Sequence, residues 1–265
     1  MMETKACFVE YKTERGMAVL ELNNPPANAY HHELMRELDE AILKARLDDN
    51  VHVLVLTGKG DKCFCAGADI SLLQSKSSSF RYHFALHANE TFMRLENTPK
   101  LVIAAINGHC LGGGLEMALA CDLRIAKKGG GKIGLPEIAL GVLPGTGGTQ
   151  RLPRLIGRSK ALELMIKGES LTMEEAHSIG IVNHLVEGEN FREKVLEYAS
   201  QFLPPAKAAK AAGLIKRAVV SGSDGSLGEG LALERELLQQ LFDSQDAKEG
   251  LSSYLEKRKP NFSGR

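Results

Sequence analysis

Two acids set in apolar sequence, Glu116 and Glu137, are the residues whose type and spacing point to chemistry. Glu116 closes the run Asn107-Gly108-His109-Cys110-Leu111-Gly112-Gly113-Gly114-Leu115, and Glu137 follows Leu135-Pro136. Downstream lies Pro144-Gly145-Thr146-Gly147-Gly148-Thr149-Gln150. Glycine loses the most backbone freedom on folding, so three in a row imply that backbone must come close to something. Carboxyl groups beside such a backbone are the residue type that moves protons. Taken singly, a glycine triplet reads as a turn and a lone glutamate as a surface carboxylate, so the rest of the chain decides.

Other chemistries lack their residues. Gly145-x-Gly147-Gly148 is not the dinucleotide fingerprint, and no convincing strand precedes it. No P-loop motif occurs, and no Gly-x-Ser-x-Gly elbow supplies a serine nucleophile. His83 and His87 are one helical turn apart but enclose Phe-Ala-Leu, without the glutamate of a zinc-protease helix, so they read as one helix face. The five cysteines (Cys7, Cys63, Cys65, Cys110, Cys121) are scattered, without a CxxC pair. They read as free thiols of a reducing compartment, with Cys63 and Cys65 as packing residues near a functional loop. No metal site is expected.

The elements that must position these residues follow from periodicity. The chain has 265 residues, 43% hydrophobic and 25% charged, which fits one large soluble domain or one domain plus a helical appendage. Lys+Arg and Asp+Glu are both 33, giving zero net charge, which disfavours nucleic acid as a partner and gives no electrostatic obstacle to self-association. Met1–Lys5 is followed by no long apolar run, so a cytoplasmic protein without signal or membrane span is expected.

Cys7–Tyr11 and Met17–Leu22 read as a hairpin around Lys12–Gly16, and helical spacing carries Leu34, Leu38, Ala41, Ile42 and Ala45. Val51–Leu56 and Leu101–Ile106 are apolar on both faces, the pattern of covered parallel strands. Gly58–Ile70 reads as a loop, Ser75–Ser79 as a mobile stretch, Phe80–Leu95 and Gly114–Ala120 as helices, and Asp122–Ala126 as a strand. Strand-then-helix units thus recur at Met17–Arg46, Val51–Leu95 and Leu101–Cys121, an α/β organisation. Beyond Thr149, helices are expected at Arg158–Lys167, Thr172–Ile179, Asn190–Phe202, Pro204–Val220, Leu227–Asp243 and Gln245–Lys257, with a strand at Ile181–Val186.

Four motifs in order then carry a resemblance: Ala66-Gly67-Ala68-Asp69-Ile70, Asn107-Gly108 through Gly112-Gly113-Gly114-x-Glu116, Pro136-Glu137-Ile138-x-x-Gly141, and Pro144-Gly145-x-Gly147-Gly148-Thr149-Gln150-Arg151-Leu152. With Glu256–Phe262 at the end, the chain resembles the enoyl-CoA hydratase/isomerase (crotonase) family from about Val9 onward, closest to the classical enoyl-CoA hydratases. The resemblance implies an α/β spiral of ββα units over 1–195 and a helical C-terminal region, 196–265, that makes homotrimers, often paired into hexamers. It implies an acyl-CoA thioester as substrate, no cofactor and no membrane.

By the same resemblance the amides of Ala68 and Gly113 form an oxyanion hole for the thioester carbonyl. Preorganised donors of this kind are worth about 2.7–4 kcal/mol each. Glu116 would hold and activate a water and Glu137 deliver the α-proton of a hydration. One of two close buried carboxyls is expected to be protonated at neutral pH; which one stays open. Further substrate contacts are expected at Ala27, Ala29, Ala66, Asp69, Ile70, Pro136 and Gly145, with Asp69 also a local cap. Lys257-Arg258-Lys259 is a candidate phosphate contact, and Leu72–Tyr82 a part of the pocket wall. In the Pro25–Tyr30 segment, prolines stand where many members carry lysine or arginine.

Relatives with isomerase, decarboxylase or dehalogenase chemistry commonly lack one glutamate, so the pair favours hydration over those alternatives, with dehydration of a specialised hydroxyacyl-CoA also open. A non-catalytic CoA-binding scaffold would not need both acids. An RNA-binding relative would need a lysine-rich helix, and His31–Arg46 mixes Glu33, Glu37, Asp39 and Glu40 with Arg36, Lys44 and Arg46.

Overall fold

The computed structural model describes residues 7–265; the Met1–Lys5 segment read for targeting lies outside them. The chain opens with an antiparallel hairpin of β1 (Val9–Glu14) and β2 (Met17–Leu22). The turn is shorter than expected, Arg15-Gly16 alone, both at positive φ, and strand pairing runs to Glu14. That handedness matches the twist of the flanking strands. Helix α1 (His32–Leu47) buries Leu34, Met35, Leu38, Ala41, Ile42 and Ala45, the face the spacing predicts.

Three strand–strand–helix units follow. In the first, β3 (Val53–Gly58) runs into β4 (Cys63–Cys65), then α2 (Ile70–Ser75) and α3 (Ser78–Glu96). In the second, β5 (Leu101–Ile106) is followed by β6 (His109–Leu111) and α4 (Gly113–Leu119). In the third, β7 (Leu123–Lys127) leads to β8 (Lys132–Gly134), a 3₁₀ turn at Glu137–Leu140 and α5 (Gly148–Ile156). Then come α6 (Arg158–Lys167), β9 (Ser170–Thr172), α7 (Met173–Ser178), β10 (His184–Val186), α8 (Phe191–Ser200), α9 (Ala209–Ser223), α10 (Leu227–Phe242) and α11 (Gln245–Leu255).

The first strands of the units build a six-stranded sheet, β1-β2-β3-β5-β7-β10, parallel except for the hairpin. The second strands build a four-stranded sheet, β4-β6-β8-β9, parallel except for β8-β9. This is the spiral of ββα units. The large sheet is covered on both faces, as its apolar runs require. Leu54 and Leu56 of β3 join the cluster of α1 and α3, while Val53 and Val55 pack with Phe191, Val195, Ala199 and Leu203 from α8 and the turn beyond it. Residue 195, the expected end of the spiral core, therefore sits in the middle of α8.

Several local expectations change. Gly58–Ile70 contains a strand, β4, whose three buried residues are too few to show a period. Ser75–Ser79 is not a loose stretch: Ser75 Oγ donates to Leu72 O at 2.9 Å, and Ser77 caps α3 by accepting from Phe80 N at 3.2 Å. Short polar side chains here close one helix and open the next. The helix expected from Pro204 begins only at Ala209, because Pro204 and Pro205 lack donors and restrict the residues before them. Helix α5 was unforeseen, with Pro153 inside it. Among the described residues no helix is long and apolar enough to cross a membrane.

One buried ion pair docks the C-terminal helices on the spiral. Lys216 of α9 reaches Asp122 Oδ2 at 2.9 Å and donates to Leu95 O at 3.1 Å and Lys100 O at 3.2 Å. The carboxylate also accepts from Val102 N at 2.7 Å at the start of β5. Burial pushes the Asp122 carboxyl up, and Lys216 opposes that shift. Lys216→Ala strands this carboxylate, so we expect a loss of about 3–5 kcal/mol in denaturant unfolding. An unchanged unfolding midpoint would show that the pair does not hold the helix.

Candidate active site

The three site segments leave the carboxyl ends of three neighbouring parallel strands. β4 ends at Cys65 and runs into Ala66-Gly67-Ala68; β6 ends at Leu111 and runs into Gly112-Gly113; β8 ends at Gly134 and runs into Pro136-Glu137. Cys65 is in register with Cys110, and Leu111 with Gly134, so the exits are side by side. A crevice beyond the carboxyl ends of parallel strands is where open α/β sheets take ligands.

The first segment is pinned from behind. Tyr30 N donates to Gly67 O and Asp69 N to Tyr30 O, both at 2.9 Å. This parallel bridge uses the groups on either side of Ala68 and leaves the Ala68 N–H pointing away from Tyr30. Ala66 N donates to Ala27 O at 3.0 Å, and Asn24 Nδ2 to Ala29 O at 2.7 Å, which draws the Pro25–Tyr30 loop against this segment. Asn28, fully buried, ties the loop further by donating to Cys63 O at 2.8 Å and Lys59 O at 3.0 Å. Asp69 is the cap of α2, accepting from Ser71 N at 2.9 Å and Leu72 N at 3.2 Å, and Ile70 beside it is exposed.

The second segment approaches so closely that side chains are excluded. A Cβ on Gly113 would stand 2.1 Å from the Tyr30 hydroxyl, and one on Gly112 would stand 2.9 Å from Glu137 Oε1. The Gly113 N–H opens α4, where the first amides of a helix have no intrahelical partner. Gly67 lies against it, since a Cβ there would meet Gly113 N at 2.9 Å. Among the described residues neither Ala68 N nor Gly113 N donates to another protein group.

Burial affects both glutamates, but their partners differ. Glu116 is 2% exposed, on the buried α4. Its Oε1 accepts from Thr146 N at 2.8 Å and Gly148 N at 2.7 Å, and its Oε2 accepts from the Thr146 hydroxyl. Burial raises its pKa and these donors pull it back. Glu137 Oε2 is buried and has no partner among the described residues. Burial, assisted by the nearby Glu116 charge and opposed by its own backbone amide, pushes the Glu137 carboxyl up to about 7. Pro136 begins the 3₁₀ turn that carries it, and Gly145 O accepts from Asn89 Nδ2 at 3.2 Å.

The remaining candidates separate from this cluster. Arg258 is clamped by Glu249 at 2.6 and 2.9 Å and by Glu256 at 2.6 Å, so the middle of the basic run serves the C-terminal turn. Among the described residues no group of three or more His, Cys, Asp or Glu side chains is placed to hold a metal ion. Thr146, Tyr30 and Asn28 also build the site, with roles that the amino-acid pattern does not assign them. Thr146 sits inside the Pro144–Leu152 motif and Asn28 and Tyr30 inside the Pro25–Tyr30 segment, but a hydroxyl among glycines gives no signal of its partner thirty residues away.

The family model described as enoyl-CoA hydratase/isomerase matches residues 12–265. A crotonyl-CoA hydratase of Syntrophomonas wolfei is 40% identical over 250 residues, covering 94% of this chain and 95% of that protein. A short-chain-enoyl-CoA hydratase of Clostridium acetobutylicum is 38% identical over 247 residues, covering 93% and 94%. The crystal structure of an enoyl-CoA hydratase from Bacillus anthracis superposes with a TM-score of 0.92 at 35% identity, covering 98% of this chain and 100% of that one. With its two-sheet spiral and its three exits at one crevice, the chain belongs to the enoyl-CoA hydratase/isomerase family.

Proposed function

We propose that this protein is an enoyl-CoA hydratase that adds water syn across the 2,3 double bond of a 2-enoyl-CoA to give the 3-hydroxyacyl-CoA. The observation that carries the reading is a pair of unequal carboxyls, the buried Glu116 with its donors and the half-buried Glu137 with an enclosed, unpartnered Oε2. The amides of Ala68 and Gly113 take the thioester oxygen, on which charge develops as the β-carbon is attacked. Glu116, favoured in its ionised form by its hydrogen bonds, accepts a proton from water as the oxygen bonds to C3. Glu137, in its protonated form, gives its proton to C2. Water thus supplies the hydroxyl, and the proton left on Glu116 resets Glu137 in the next exchange with solvent.

Acyl-CoA is the substrate, and the proton carriers are side chains, so the proposed chemistry calls for no cofactor. We assign Ala27, Ala29 and Ala66, joined at the loop behind Ala68, to the CoA arm, and Asp69, Ile70, Pro136 and Gly145 to further substrate contacts. We assign the helical region after residue 195 to trimer contacts, with a hexamer as a pair of trimers. Apolar side chains left exposed on its last two helices, Leu227, Phe242, Leu251 and Leu255, support that role. The buried free thiols Cys63, Cys65, Cys110 and Cys121 support a cytoplasmic setting.

Crotonyl-CoA hydration, followed as loss of enoyl absorbance, tests the activity. Glu137→Gln is expected to keep the fold and the binding of a saturated acyl-CoA while kcat falls about 10²–10⁴-fold; full turnover would sink the assignment. The pH profile tests the protonation states. Because Glu137 acts as the acid and burial pushes its carboxyl up to about 7, kcat should fall as pH rises through that value, with a separate acidic limb where the Glu116 base is protonated. A profile still climbing well above pH 8 would contradict Glu137 as the proton donor.

A further inference from the structure

The Thr146 side chain is a third donor to Glu116, and a carboxylate has about four lone-pair positions. Two amides occupy Oε1, from Thr146 and Gly148, at 2.8 and 2.7 Å. With the hydroxyl on Oε2, one position on Oε2 is left for anything else. The hydroxyl is itself buried, since Thr146 is 6% exposed, and the buried Tyr30 lies nearby with its hydroxyl against Gly113.

The loop that presents Thr146 is fixed from the far side. Arg151 Nη1 donates to Thr146 O at 3.2 Å, and the same guanidinium grips Glu96 of α3 at 3.1 and 2.7 Å. The guanidinium fills the space where a Cβ on Gly147 would stand, 2.0 Å from Nη1, and Gly147 has φ of 115°. Only glycine allows both that backbone and that packing. Thr146 is thus held at its carbonyl, its amide and its hydroxyl.

We propose that Thr146 is a positioning residue whose hydroxyl selects the ionised form of Glu116 and aims its last free lone pair at the reacting water. This rests on the hydratase reading above. Donation to Oε2 favours the carboxylate over the acid, and it also stops the carboxyl from turning its second oxygen away. The charged and titratable groups facing Glu116 are Arg151 from α5, Tyr30 from the loop before α1 and Glu137 from the 3₁₀ turn. Arg151 acts with Thr146 in favouring the charge. Tyr30 stays a neutral phenol, its pKa raised by burial and by the adjacent Glu116 charge.

The test compares Thr146→Val, which keeps the shape, Thr146→Ala, which tolerates tight packing, and Thr146→Ser, which keeps the hydroxyl. Crotonyl-CoA hydration is measured across pH, with Glu116→Gln in parallel. Val and Ala should lower kcat about tenfold with little change in KM. Their acidic limb of kcat should move up by about one pH unit, because losing a donor to the ionised form raises the Glu116 pKa. Ser should restore both. Wild-type kcat and an unmoved acidic limb in Val and Ala, with Glu116→Gln inactive, overturn the role of Thr146 while leaving the hydratase reading intact. A kcat loss that Ser does not restore, or that leaves the limb in place, overturns it too, as mere packing. An active Glu116→Gln removes the reading on which the inference stands.

Discussion

Two carboxyl groups lie close enough for the charge of one to act on the other, and the cost of placing charge there governs the rest of the site. Glu116 is buried and Glu137 half-buried with its Oε2 enclosed, and loss of water pushes both toward the neutral acid. What separates them is backbone. The turn before α5 directs two amides and a hydroxyl at Glu116, whereas Glu137 sits on a short 3₁₀ turn that leaves Oε2 without a partner. Hydrogen bonds to an ionised group are strong and desolvation of an unpaired one is costly, so unequal donors turn two like residues into a base and an acid. The repulsion between them works in the same direction, since charge on Glu116 makes charge on Glu137 less favourable.

That inequality needs segments far apart in the chain to meet within an ångström or so, and the two-sheet spiral is what supplies the tolerance. The six-stranded sheet is packed on both faces and rigid. The small sheet repeats its progression with strands only three residues long, so each unit delivers a loop at a fixed offset from the last. Gly67-Ala68, Gly112-Gly113 and Glu137 are therefore products of one repeated geometry, not three separate solutions. The fourth segment, Thr146–Gly148, is set differently, by the Arg151–Glu96 grip that fastens α5 to α3.

This division explains what was legible in the amino-acid pattern. The apolar runs Val51–Leu56 and Leu101–Ile106 announce their strands because covering on both faces favours apolar side chains at successive positions, although β3 itself is shifted to Val53–Gly58. The hydrophobic face of α1 is equally plain. The short strands Cys63–Cys65, His109–Leu111 and Lys132–Gly134 are invisible to periodicity, since three residues cannot display a period of two. Glu116 and Glu137 stood out by their apolar neighbours and by family pattern. Which of them has the donors did not, because Thr146 and Gly148 are 30 and 32 positions from Glu116 and the relation is purely tertiary.

The short helix between the two ends of the site shows how far the same electrostatics extends. At Gly113–Leu119, α4 is only about 10 Å long. Its Gly113 amide donates to no other protein group among the described residues, and its far end is closed by a buried cation. Arg124 donates to Cys121 O at 2.8 Å and Ala118 O at 3.4 Å, and its Nε reaches Ile181 O at 2.7 Å. Burial lowers the Arg124 pKa, and the side chain is satisfied by carbonyl oxygens and the Asn183 amide oxygen rather than by an ion pair. A positive group at the carboxyl end complements the helix dipole and holds the last turn, so the first turn can leave the Gly113 amide open without the helix fraying. The next residues of the chain explain why this end is so heavily anchored. Asp122, two positions before Arg124, binds Lys216 of α9, so the anchor of α4 and the docking point of the C-terminal helices are one structure. The large sheet shares this anchor, because Arg124 lies on β7 and Asp122 also accepts from Val102 N of β5.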